Sequence, residues 1–409
     1  MSTILVAGAG PAGSRLASKL QSSGLNVTLV ESLLKPGHVA FSSAAMPRFA
    51  LHEFDIPIKA VSASWFGWTL FDPYGLENQW VSESELGVVL DFGLLRKYLW
   101  QRAIQTGVEF LNGWTVISVE SSHGHAVVSL RSTSGASDIR RVNWVVDATG
   151  HRRSLIGPPR CGHAKEINSL IEGKGVEWLL QGDKNLSRRW NDRLTFLMGT
   201  RWVPYGYGWI FPMGGDRMKV GVCQLPPALS YHNNSSIMIY LKGIIKHFNL
   251  GSLPVLDRHG GILSSTLYRR EQHGYGRILG VGDSISTANL LGGEGIRSAL
   301  LSAEVLAPLI VEACQQDGRF SSIEIENRLF RKYKKHLRRS LGWRWNISSR
   351  LAKKTWWSLD NQKADIRMAK IINGLTKNAS AEDINDLLFN YKFERYGLRL
   401  LPYLFGWKA

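Results

Sequence analysis

The feature that most constrains this chain is its first apolar run, Ile4-Leu5-Val6-Ala7, and the turn that follows, Gly8-Ala9-Gly10-Pro11-Ala12-Gly13. Apolar residues in unbroken succession read as a strand buried on both faces, as in parallel sheets. Leu16, Ala17 and Leu20 then mark the apolar side of a helix that Gly24 ends, and residues 27–30 read as the second strand of a βαβ unit. Gly8 permits the tight turn, Gly10 lets a pyrophosphate approach the backbone, and Gly13 lets helix and strand close on each other. The helix start adds N–H groups and a positive dipole end for the anion. Glu31 ends the second strand, placed to accept hydrogen bonds from ribose hydroxyls. Glycine-rich turns are common. A strand before, a helix after and an acid at this distance together predict a dinucleotide site, against a βαβ turn of purely structural role.

With 409 residues, 44% of them hydrophobic, the chain can build two or three packed lobes. Its formal charge of +17 fits nucleic acid, an anionic membrane surface or plain solubility, and the location of the charge must decide. Cys161, Cys223 and Cys314 are odd in number, far apart and without a CxxC pair, so no disulfide framework or zinc site is indicated and a reducing compartment is expected. The histidines have no metal spacing, and neither a GxSxG nucleophile signature nor a second glycine fingerprint for a nicotinamide domain is present. The first strand starts almost at Met1, so no signal peptide is expected. No apolar run is long enough to span a bilayer, and a cytoplasmic protein, peripheral on a membrane at most, is predicted.

Further along, small residues Ser42, Ser43, Ala44 and Ala45 lie in the loop after Glu31, and residues 61–90 alternate apolar and polar positions as antiparallel strands do. Residues 94–106 have helical spacing. Residues 116–119, 126–130 and 142–146 read as a meander whose last strand enters Asp147-Ala148-Thr149-Gly150. Residues 155–275 are rich in Trp, Tyr and Gly, with strand-like pieces at 194–198, 209–211 and 218–223, and suggest a second sheet forming a substrate lobe. A short strand at 277–281 enters Gly282-Asp283, a helix follows at 296–311, and the remainder reads as helical and basic. Glycine-bearing strand ends thus recur with other material between them. The expected fold class is α/β: a Rossmann-like domain from residues 1–60, 91–155 and 276–312, interrupted by a mixed β-sheet substrate domain from 61–90 and 156–275, with a basic, mainly helical C-terminal region at 313–409.

Gly8 to Gly13 with Glu31, Val145-Val146-Asp147-Ala148-Thr149-Gly150 and Gly280-Val281-Gly282-Asp283 together resemble the flavoproteins that include p-hydroxybenzoate hydroxylase, the geranylgeranyl reductases, lycopene cyclases and flavin halogenases. Within that group the geranylgeranyl reductases are most similar. Their Pro-x-x-Tyr-x-Trp-x-Phe-Pro run is matched by Pro204-Tyr205-Gly206-Tyr207-Gly208-Trp209-Ile210-Phe211-Pro212, and Glu53-Phe54-Asp55-Ile56-Pro57 matches a motif after the early loop. The resemblance covers roughly residues 1–310. It implies FAD, held by Gly8, Gly10, Pro11, Ala12, Gly13, Glu31, Gly150, Gly282 and Asp283, with Gly293, Glu294, Gly295 and Ile296 opening a helix under the ring. There, N–H groups and a helix dipole stabilise an anionic reduced flavin. The sequence departs from the family at Ser42-Ser43-Ala44, where a cysteine and glycines are usual, at Phe92 and Arg96, and at Ser284-Ile285-Ser286 and Leu290.

The activity this implies is reduction of carbon–carbon double bonds in a lipophilic isoprenoid, by hydride from reduced flavin, with NADPH or ferredoxin as electron donor. Tyr207, Trp209, Phe211 and Pro212 are the candidates for the substrate pocket, and no residue is assigned as the catalytic acid. The alternatives are a non-redox lycopene-cyclase-like reaction, an aromatic monooxygenase, and a flavoprotein that binds a pigment or lipid without turnover. Residues 331–354 contain no acid, and Trp343, Trp345, Trp356 and Trp357 lie among or just after their charges. That pattern suits an anionic membrane surface first, an ordinary solvated helix face second, and nucleic acid least, since no recognised fold for it is present. The oligomeric state is open.

Overall fold

A computed structural model describes residues 2–40, 42–122, 124–157, 171–184, 188–226, 236–267 and 271–394. Cys161 lies outside them. The predicted βαβ unit is present as Thr3–Ala7, helix Pro11–Ser22 and Asn26–Glu31. It belongs to a sheet ordered Gly274–Tyr275, Ile278–Gly280, Trp144–Asp147, Thr3–Ala7, Asn26–Glu31, Glu109–Asn112. All neighbours pair in parallel except the first two. Ala7 is opposite Asp147, and Asp147 opposite Gly280. Three glycine-bearing turns far apart in sequence therefore leave the sheet side by side, at the carboxyl ends of their strands, where ligands bind in open α/β sheets.

Residues 142–146, expected as one strand, are divided by Asn143. Val142 ends Ser137–Val142, antiparallel to His125–Ser132, whereas Trp144–Asp147 joins the parallel sheet. Asn143 turns the chain between them: its N–H donates to Thr3 O at 2.9 Å, and its Oδ1 accepts from Thr3 N–H at 2.8 Å. An apolar run carries no mark of such a change of sheet.

The lobe expected to hold substrate is a seven-stranded sheet ordered Val255–Ser265, Ile171–Gln181, Arg217–Gln224, Gly206–Pro212, Arg193–Met198, Gly67–Phe71, Glu77–Val81. Its first two strands give little sequence signal because Gly173, Gly175, Gly260 and Gly261 interrupt their apolar pattern. Val61–Trp65 and Gly87–Leu90 pair with Ala45–Pro47 in a separate small sheet. The helical C-terminal extension comprises Ser322–Trp357, Gln362–Asn378 and Ala381–Phe389. Ser321 starts it with a reciprocal hydrogen-bonded box to Glu324, and Gly342, at φ 77° and ψ 167°, breaks the long helix in two. Beyond that break Ala352, Trp356, Ala364, Met368 and Ile372 share a core with Trp65, Trp68, Tyr207 and Trp209. The tail is thus packed on the substrate sheet. Of the tryptophans expected among its charges, Trp345 and Trp356 are buried and Trp343 is exposed. No described helix is long and apolar enough to cross a membrane.

Candidate cofactor and substrate site

Where the parallel sheet meets the seven-stranded sheet there is a cleft of about 510 Å³. From the nucleotide side it is lined by Pro11, Asp283, Gly293, Glu294, Gly295 and Ile296; from the sheet, by Tyr207, Trp209 and Phe211. Two helices, Pro11–Ser22 and Ile296–Gln316, start at this cleft. Each begins after a glycine, without a side-chain cap hydrogen bond and without an acid in its first turn. Their N–H groups and dipoles are thus left to an anion.

The glycines around the first turn divide by environment. A Cβ on Gly13 would lie 1.9 Å from Gly8 O, and one on Gly8, whose φ is +106°, would lie 2.4 Å from Ala148 O. Gly282 faces Ala12, with 2.8 Å between an added Cβ and Ala12 Cβ. These positions close the turns on one another; like Gly10, Gly150 and Glu31, they are not among the residues that line the cleft. Around Gly10 and Gly150 an added Cβ would meet nothing within 4 Å. Open space beside an uncapped helix start is what a pyrophosphate requires. Asp147, fully buried, holds the second turn by accepting from Thr149, Leu155 and Ile156 N–H groups at 2.8–2.9 Å. Glu31 accepts from Ala9 N–H at 2.7 Å and from Leu33 N–H at 2.9 Å, which fixes the carboxylate beside the first turn with acceptor capacity remaining. FAD fits this donor set and this space.

On the substrate side, strand alternation puts Tyr207, Trp209 and Phe211 on one face. Pro212, expected in the pocket, is not among the lining residues; alternation gives it to the other face, like Ile210, which packs in a different core from Trp209. Trp209 is held by its Nε1–H donating to Glu177 Oε2 at 2.8 Å. Cys223 is opposite Tyr207 and hydrogen-bonded to it; burial pushes the Cys223 thiol up to about 12, and burial likewise raises Tyr207 well above the usual phenol value. Both keep their protons, so this pair is uncharged. Glu294 is committed to Arg297, whose Nη2 donates to Oε2 at 2.9 Å, and its backbone carbonyl accepts from Asn289 N–H at 2.8 Å. Its side chain fixes the glycine turn.

Residues the motifs did not announce complete the cleft. Gly173, Gly175, Gly260 and Gly261 widen one side, and Phe389 closes another. Trp356 stands behind Tyr207 with ring centroids 5.0 Å apart. Strand pairing with Tyr207 could have pointed to Cys223; nothing local marks Trp356 or Phe389. The altered early loop is held by two buried cations. Lys219 Nζ donates to Ser42 O at 2.6 Å and reaches Ser43 O at 3.5 Å, while Arg96 donates to His38 O and Val39 O at 3.1 and 3.0 Å. Burial lowers the pKa of Lys219, with Glu177 and Asp91 opposing, and lowers that of Arg96, with Glu31 opposing.

A parallel nucleotide sheet facing a mixed aromatic sheet across one cleft is an architecture that the chain shares with solved structures. The flavin-dependent halogenase CmlS superposes with a TM-score of 0.65 at 16% identity, over 90% of this chain and 67% of the halogenase. A geranylgeranyl bacteriochlorophyll reductase-like protein from Thermoplasma acidophilum superposes with a TM-score of 0.80 at 20% identity, over 98% of both chains. In sequence the chain is 26% identical to the digeranylgeranylglycerophospholipid reductase of Haloferax volcanii, over 78% of each. The family described as lycopene cyclase protein matches residues 3–172. The predicted resemblance to geranylgeranyl reductases thus holds over most of the chain, and the fold is theirs.

Proposed function

We propose that the protein is an FAD-dependent reductase that saturates carbon–carbon double bonds of an isoprenoid lipid. The observation that carries this reading is the joining of Tyr207, Trp209 and Phe211 with Gly293, Gly295 and Ile296 in one cleft. FAD, when bound and reduced, supplies the hydride. Gly10 and the start of helix Pro11–Ser22 take the pyrophosphate, Glu31 the ribose, and the start of helix Ile296–Gln316 faces the ring. An isoprenoid chain offers no hydrogen bonds and is held by apolar area, at about 0.8 kcal/mol per buried methylene. The aromatic face and the neutral Tyr207–Cys223 pair suit it. The electron donor is NADPH or ferredoxin, and the lipid is met at an anionic membrane surface by a peripheral protein.

A second reading, a redox-neutral cyclase, is favoured by the lycopene cyclase match. That match ends at residue 172, before the strand Gly206–Pro212 and the loop at 292–296, so the substrate wall lies outside it. The deciding experiment incubates FAD-loaded, chemically reduced protein without oxygen with a geranylgeranylated phospholipid and, separately, with lycopene. The expected result is a product two hydrogens heavier per turnover, with the flavin oxidised. An isomer of unchanged mass with the flavin still reduced would make the protein a cyclase. No change in either would make it a binder and overturn both readings.

A further inference from the structure

A second cavity, of about 930 Å³, runs beside the first half of the long helix Ser322–Trp357. Arg331, Lys334, Lys335, Arg338 and Arg339 line it, at the i, i+3, i+4, i+7, i+8 spacing of a single helix face. All five are exposed, and none forms an ion pair with a described carboxylate. Elsewhere on the same helix the pattern is different: Lys332 is paired with Glu312, and Arg344 with Glu394. The repulsion within the groove's stripe is therefore not compensated by any described carboxylate. Leu267 and Leu337 give the groove an apolar floor. At Gly342 the helix breaks, and Trp343, 58% exposed, stands at the rim.

We propose that this groove docks the protein on an anionic lipid bilayer, its cations engaging phosphate head groups and Trp343 entering the interface. Unneutralised cations above an apolar floor, with an exposed tryptophan at the edge, match the layered polarity of a bilayer surface. The stripe is about 12 Å long, at 1.5 Å per residue, which is short for tracking a nucleic-acid backbone. Past the break, the same helix runs about 20 Å from Trp343 to Trp356, the ring behind Tyr207. Two helical segments joined at Gly342 thus connect the docking face to the wall of the cleft. The choice of a bilayer as occupant rests on the reading of the substrate as a membrane lipid, but docking is measured without turnover.

The test is co-sedimentation of the full-length, FAD-loaded protein with phosphatidylglycerol vesicles and with pure phosphatidylcholine vesicles. Binding is expected to the former only, and high salt should release it. K334Q/R338Q should weaken it about 25-fold, about fivefold for each cation removed, the factor corresponding to ~1 kcal/mol. W343A should weaken it as well. R131Q/K242Q, which removes exposed cations elsewhere, should change it less than about twofold by the same reasoning. Thermal unfolding and flavin content should not change in any of these variants. Equal binding to neutral vesicles, parental binding by K334Q/R338Q, or release by millimolar inorganic phosphate would overturn the proposal. So would a preference for duplex nucleic acid over vesicles. Vesicle binding without any reduction of lipid would count against the proposed activity alone, and turnover of detergent-dispersed lipid without vesicle binding against the docking site alone.

Discussion

Gly10→Ala separates the demands of the fold from the demands of the cofactor. Gly10 has φ −68° and ψ −178°, a conformation open to any residue, and its added Cβ meets nothing within 4 Å. The protein without cofactor should therefore keep its stability within about 0.5 kcal/mol, as for a substitution that touches nothing. On the proposed placement, the pyrophosphate is the group that a methyl there would meet. Displacing it should cost a charge-assisted hydrogen bond, about 1.5–3 kcal/mol, and thus weaken FAD binding roughly 10- to 150-fold. Gly13→Ala is the contrast, because its Cβ would lie 1.9 Å from Gly8 O and 2.9 Å from Ala148 Cβ. Overpacking of that kind should destabilise the protein by about 1–3 kcal/mol before any cofactor is added. Urea unfolding of the cofactor-free variants and fluorescence titration with FAD measure the two effects separately. If Gly10→Ala unfolds as easily as Gly13→Ala, or if its FAD affinity stays within twofold of the parent, the assignment of the pyrophosphate site is wrong.

Two further outcomes follow from the cleft. Trp356 is buried, packs against Tyr207 with the rings tilted at 40° and donates from Nε1 to Leu290 O at 3.0 Å. Trp356→Ala should cost about 3–5 kcal/mol, whereas Trp356→Phe should keep most of the packing and yet lower turnover by loosening Tyr207. Parental turnover in Trp356→Phe would remove the C-terminal helices from any part in the reaction. Cys223, raised by burial to about 12, should react with iodoacetamide at pH 9 far more slowly in the folded protein than in urea. The sign is that of an acid held protonated by folding: its contribution to stability is present below the unfolded thiol's value and is lost as pH rises towards about 12. Alkylation of native Cys223 that tracks an ordinary thiol pKa near 8.5 would place its sulfur in water.

What could be read from the sequence was whatever is specified locally. The turn Gly8–Gly13 is set by backbone sterics within a few residues, and its structure follows from its spelling. The run from Tyr207 to Phe211 is a strand whose alternation fixes which side chains share a face, and Pro212 falls off that face by the same rule. The two strands Ile171–Gln181 and Val255–Ser265 were hidden because glycines at the cleft wall remove the apolar pattern that would announce them. The tryptophans after Arg331 could not be sorted into buried and exposed from composition. That depends on Gly342, whose non-helical backbone changes which way the second half of the helix faces.

The departures at Ser42-Ser43-Ala44, Phe92 and Arg96 have a physical reading that individual positions do not give. The early loop is held against the cleft through its backbone carbonyls. Lys219 reaches Ser42 O from the substrate sheet, and Arg96 reaches His38 O and Val39 O from the helix Phe92–Gln105. Hydrogen bonds from charged donors to backbone carbonyls are stronger than neutral ones, and they do not depend on which side chains the loop carries. Lys219 lies opposite Phe211, one strand over from the aromatic face, so the loop is tied to the wall that the substrate would touch. Changed letters in the early loop therefore alter the chemistry presented to the cleft more than its shape. A serine hydroxyl stands where the family has a thiol, within a backbone that two buried cations keep in place.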